Sequence, residues 1–184
     1  MQMRWDRLFE DLDGQIESDV LREREAEVAD RTRRERAQID IQSRLLASVG
    51  APPVTVRLAN RTLTGVVRDV GPDWVLLETE GQRALLVVTA AVGSLVGVVR
   101  GAVQPSAVAR RFGLGAALRA ISRDRSVVEL VAAATALVGT IDVVGSDHLE
   151  IAEHAPDLPR RARNVQAVHV VPFAAVETVR QVRP

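Results

Sequence analysis

The chain has 184 residues, 47% of them apolar, and its 24 basic side chains balance 24 acidic ones. That length and composition suffice to bury a core in one large domain or two small ones, while a net charge of zero supplies no whole-protein field to draw nucleic acid, an acidic substrate or a membrane surface. The absence of cysteine removes disulfides, thiolate nucleophiles and the common zinc ligands together.

Every basic side chain is Arg, with no Lys, and Ala and Val abound, as a GC-rich genome tends to write such positions. Arginine runs therefore weigh less as phosphate-binding signals than they would elsewhere. At the N-terminus Arg4, Trp5, Asp6 and Arg7 interrupt any apolar run of signal-peptide type, which predicts a cytoplasmic protein. Residues 3–49 read as a long helix. Trp5, Leu8, Phe9, Leu12, Ile16 and Val20 recur at spacings of three and four on one face.

The middle of this helix is charged and ordered, with Glu27 four residues before Arg31 and Asp30 four before Arg34. Each such pair adds roughly 0.2–0.5 kcal/mol. Ile39, Ile41, Leu45 and Leu46 restore an apolar face before Gly50, Pro52 and Pro53 end the helix. The stripe Trp5, Leu8, Phe9, Leu12 and Ile16 has little core of its own to cover. It is expected either to fold back onto the barrels or to dock on a second copy or another protein, with Trp5 and Phe9 as the anchors such contacts favour.

Beyond the helix the sequence repeats itself. Laid over one another, residues 54–77 and 128–151 pair Val54 with Val128, Leu63 with Leu137, Gly65 with Gly139, Val67 with Ile141, Gly71 with Gly145 and Asp73 with Asp147. Both copies continue in strand-like alternation, Val75 and Leu77 against Leu149 and Ile151. Their tails also match, Val87, Ala90, Ala91, Val92 and Leu95 against Val171, Ala174, Ala175, Val176 and Val179, after an insertion in 155–166 whose composition marks a surface loop. The uncharged run Ala84–Val99 falls short of the about 17 residues a membrane helix needs, and its Gly and Thr content suits strand, turn and strand. No membrane contact is expected. A short helix, 114–121, precedes the second copy as the end of the long helix precedes the first.

A helix followed by V-x-V-x-L, a turn, L-x-G-x-V-x-x-V-G-x-D, an apolar strand and V-x-x-A-A-V-x-x-V resembles the Sm-like small β-barrel. The resemblance covers most of 38–99 and of 114–182. It implies five strongly bent strands per copy, with Gly65 and Gly139 where the second strand bends. Sm-like proteins often bind uridine-rich RNA through an Asn before the third strand and a basic or amide group in the closing turn. Here those positions hold Trp74 and His148, and the closing turns read VVTAAVGSLV and VVPFAAVETV. The layout is also similar to uncharacterised proteins of high-GC Gram-positive bacteria, some described as Fis-family regulators, although 127–184 is patterned as strands and not as a helix-turn-helix.

The fold class expected is therefore α+β, mainly β: two Sm-like five-stranded small barrels, each preceded by a helix, with a long N-terminal helix. The expected boundaries are 1–50 for the N-terminal helix, 51–104 for the first barrel, 105–126 for the linking helix and 127–184 for the second barrel. No catalytic residue, metal site or cofactor is expected. Asp147, His148, Glu150, Glu153 and His154 alternate across a strand and do not converge as metal ligands would. No nucleophile elbow occurs, and Gly113-Leu114-Gly115 lacks the third glycine and lysine of a phosphate loop. The expected function is a non-enzymatic binding or scaffold module acting through protein contacts and self-association. The alternative is a nucleic-acid-binding regulator using Arg160, Arg161, Arg163, Arg110 and Arg111.

Overall fold

The computed structural model describes residues 22, 24, 26–34, 36–81, 83–107 and 109–182. The chain divides into two units, 1–40 and 41–184. In the first unit the described residues are helical up to 37, and Asp30 pairs with Arg33 on an exposed surface. The expected unbroken helix to residue 49 does not form. Residues 38–40 leave helical geometry, with the Ile39 N–H closing on the Arg36 carbonyl three residues back, the tight closure common at helix ends.

The second unit begins with α1 (Ile41–Ala47), whose Leu45 is buried. Gly50 then adopts φ +71, a conformation open to glycine, and its N–H bonds the Val67 carbonyl. Five strands follow, β1 (Val54–Arg57), β2 (Thr62–Val70), β3 (Trp74–Thr79), β4 (Arg83–Val88) and β5 (Ser94–Val96). After α2 (Leu114–Arg123) come β6 (Val127–Ala132), β7 (Thr135–Val144), β8 (His148–Glu153), β9 (Ala167–Pro172) and β10 (Val176–Gln181). All pair antiparallel in one ten-stranded sheet of order β5-β1-β2-β3-β4-β10-β6-β7-β8-β9.

That order is the same five-strand pattern written twice, and the registers repeat with it. Val54 faces Gly65 as Val128 faces Gly139. Val56 faces Leu95 as Leu130 faces Val179, and Val75 faces Val87 as Leu149 faces Val171. Even the irregularity in the second strand recurs, between Val67 and Asp69 and between Ile141 and Val143. Such bulges bend a strand and sharpen its twist. Both repeat glycines lie where a side chain has no room. A Cβ on Gly65 would sit 2.7 Å from the Glu78 carbonyl oxygen, and one on Gly139 would sit 2.0 Å from that of Ala152.

The copies are not separate bodies. β4 pairs with β10, setting Val87 opposite Thr178, Leu86 opposite Val179 and Leu85 opposite Arg180. One core cluster lies within the first copy, around Val54, Val67, Val75, Leu77 and Leu45. The other fills the second copy and takes in Trp74, Leu86 and Val88 from the first, with Leu114, Ala117 and Leu118 of α2.

Candidate interaction surfaces

The joint between the copies is the most elaborated part of the sheet. The Trp74 indole is buried, donates from Nε1 to the Phe112 carbonyl at 2.9 Å, and meets the Phe112 ring edge-on. Asp73 accepts the Leu114 N–H at 2.8 Å. It thereby caps α2 from another element, since Gly113 offers no side chain to do so. Gly113 and Gly115 bring the helix start close to the Asp73 carboxylate and the Phe173 ring. The two glycines thus serve the packing of a helix N-terminus.

Across the β4–β10 seam Arg61 reaches from the turn after β1 to hydrogen-bond the buried Thr178 hydroxyl. Beside it Arg180 grips Glu129 with two hydrogen bonds, of 2.8 and 2.7 Å. Those bonds hold the Glu129 carboxyl below the ordinary carboxylate range, against the opposing effect of burial, and the charges of Arg180 and Arg61 act in the same direction. A cleft of about 170 Å³ opens here over Leu76, Leu86, Val128 and Val179. Of its polar lining, Arg180 is engaged by Glu129 and Gln181 by Ser126.

The position filled by Trp74 in the first copy belongs to His148 in the second. The His148 ring lies against Gly145 as the indole lies against Gly71, but it is more exposed and bonds Asp147 at 2.8 Å. That hydrogen bond lowers the Asp147 pKa. His154 is buried with both nitrogens engaged, Nδ1 donating to the Ala155 carbonyl and Nε2 hydrogen-bonded to the Thr140 hydroxyl, each at 2.9 Å. His169 pairs with Glu153 across β8 and β9. Among the described residues no group of three or more His, Cys, Asp or Glu is placed to hold a metal.

The candidate arginines divide. Arg160 is held by Asp142 through Nε at 3.0 Å and through a terminal nitrogen, which raises its pKa, and so is committed to anchoring the inserted loop on β7. Arg161 and Arg163 lie exposed in and beside a 3-10 turn of that loop, and Arg110 and Arg111 lie exposed in another, Ala109–Arg111. Trp5, Leu8, Phe9, Leu12 and Ile16, the expected partner-binding stripe, lie outside the described residues.

One surface that the sequence did not single out is the pair of outer strands. Among the described residues β5 and β9 each have a strand neighbour on one side alone. On β9, Val168 and Val170 are 53% and 64% exposed, and on β5 Val96 is exposed. The alternation Val168-His169-Val170 reads equally as an inner strand, so the pattern carried no sign that its outer side was bare. No helix among the described residues is long and apolar enough to cross a membrane. No family model matches the chain, and no curated protein matches it.

Proposed function

We propose that this chain is a non-enzymatic, cytoplasmic binding or scaffold module that works through protein–protein contacts, self-association among them, and that each of its halves is a Sm-like small barrel. The two outer strands carry the functional reading. Monomeric proteins blunt their sheet edges with charge, proline, bulges or a covering element, whereas β9 has proline at its last residue, Pro172, and carries two exposed valines ahead of it. The Sm-like reading is supported by the five strands per copy, the bulged second strand with its glycine, and the helix ahead of each copy. The Trp5–Ile16 stripe offers a second protein-binding surface on this reading.

A nucleic-acid-binding regulator is the second reading, favoured by the exposure of Arg110, Arg111, Arg161 and Arg163. The commitment of Arg160 to Asp142 and the burial of the Trp74 ring both count against it, since single-strand binding draws on free cations and stacking aromatics.

Light scattering over a concentration series, together with fluorescence anisotropy on a uridine-rich and a random oligonucleotide, separates the two. The expected result is a mass above the 20.0 kDa of one chain, with oligonucleotide binding lost near physiological salt. Tight binding to either oligonucleotide at that salt, from a protein that stays monomeric, would replace the first reading with the second.

A further inference from the structure

We infer that the cleft at the β4–β10 seam is a binding site for a small organic cation, an ammonium group on a short apolar body. Its walls come from one molecule, so the site does not depend on self-association. Leu86 lies opposite Val179, and Gln181 lies opposite Val128, which puts these side chains on one face of the sheet, with Ala84 beside them by alternation. The end of α2 closes over that face through Ile121, and Asp124 and Ser126 follow at the rim. Leu76, Leu86, Ile121, Val128 and Val179 leave an apolar interior of about 170 Å³. A cavity of about 150 Å³ already holds a benzene-sized body.

The charges of the lining decide what such a body carries. Arg180 lies opposite Glu129 on the other face of the sheet and is spent on it. Asp124 is the remaining charged side chain of the lining. It is exposed, and among the described residues no cation pairs with it. It also stands at the C-terminal end of a ten-residue helix, where backbone carbonyls favour positive charge. Gln181 donates to the Ser126 hydroxyl at 3.0 Å, which leaves its amide oxygen to accept from a ligand. An ammonium group, with three donors and no acceptor, suits a carboxylate and an amide oxygen.

The repeat shows that the five-strand pattern does not itself demand these groups. Asp124 and Ser126 lead from α2 into β6, whereas the chain enters β1 through Gly50, Ala51, Pro52 and Pro53. The equivalence that pairs Leu95 with Val179 likewise pairs Gly97 with Gln181. On the sheet side Leu76 and Leu86 give way to Glu150 and Val170 in the second copy. An apolar floor under an acidic rim is therefore particular to the place where the two copies meet.

The test titrates isotopically labelled full-length protein with pentylammonium, pentanol and pentanoate, which share a body and differ in charge. Saturable amide shifts at 124–128 and 179–181 are expected with pentylammonium, weaker binding with pentanol and the weakest with pentanoate. Asp124→Asn should weaken pentylammonium alone, by about two- to fivefold as for one solvent-facing ion pair, and bring it level with pentanol. Ala84→Phe, which fills the cleft from an exposed position, should abolish binding of all three while the melting temperature is kept.

Equal affinity for the three probes or a preference for pentanoate would overturn the inference. So would an Asp124→Asn protein that still prefers the ammonium, a folded Ala84→Phe protein that still binds it, or the absence of saturable shifts at those residues.

Discussion

Gly139 sits closer to its neighbouring strand than any side chain allows, 2.0 Å from a carbonyl oxygen for an added Cβ against 2.7 Å at Gly65. In both cases the obstacle is backbone, which moves only with its strand. Gly139→Ala should therefore destabilise more than Gly65→Ala, each by at least the ~1–3 kcal/mol of an overpacked site, as urea unfolding would measure. The opposite holds at the β6–β7 turn, where Ala133 and Ala134 take φ +46 and +65, as a two-residue hairpin of that hand demands. Alanine is strained there by roughly 1–2 kcal/mol. Ala134→Gly should raise stability by about 0.5–1 kcal/mol after the extra chain entropy of glycine. Glu129 adds a pH dependence. Its carboxyl is held below the ordinary value near 4.5, so the stability it contributes is present above that value and is lost as pH falls through the folded one. Glu129→Gln should remove this part of the acid sensitivity, and the gap between the two proteins in thermal melts should close as pH drops below about 4.5.

Among the elements, α2 shows how the joint is secured. Its first turn has no cap of its own, and Asp73, forty-one residues earlier, supplies one. Asp73→Ala should cost about 1 kcal/mol in chemical unfolding, and Asp73→Asn, which keeps an accepting oxygen, distinctly less. The strands were legible in the sequence because β-branched residues alternate with small and polar ones, and the repeat placed Gly65 and Gly139 in equivalent strands without knowledge of their partners. The Ala133–Ala134 turn was not legible, since neither residue announces a positive φ as Asn or Gly would. Nor was the break at 38–40, where the apolar spacing runs on through residues that leave the helix. Asp73 as a cap and Arg160 as a loop anchor were likewise hidden, because both depend on partners far away in sequence, Leu114 and Asp142. That last pairing lowers the weight of the inserted loop as a phosphate grip.

Across the unit 41–184, the repeat explains why a single sheet runs through two copies: the second copy occupies the edge that the first leaves open, and Trp74, Leu86 and Val88 become core residues by doing so. Sequence comparison between the copies detected the duplication but not the seam, because pairing of β4 with β10 depends on how the copies meet and not on what either contains. The same seam leaves β5 and β9 with free sides, and the proposed activity rests on what covers them. Hydrogen exchange of wild type and Val170→Lys protein, followed by mass spectrometry at high and low concentration, tests this most directly. In the wild type, 94–96 and 167–171 should be protected together at high concentration and exposed together on dilution. Val170→Lys should show the exposed pattern at both concentrations, with the interior strands unchanged. Rapid exchange of the outward-facing amides in both segments at every concentration, from a wild-type protein of single-chain mass, would contradict the account.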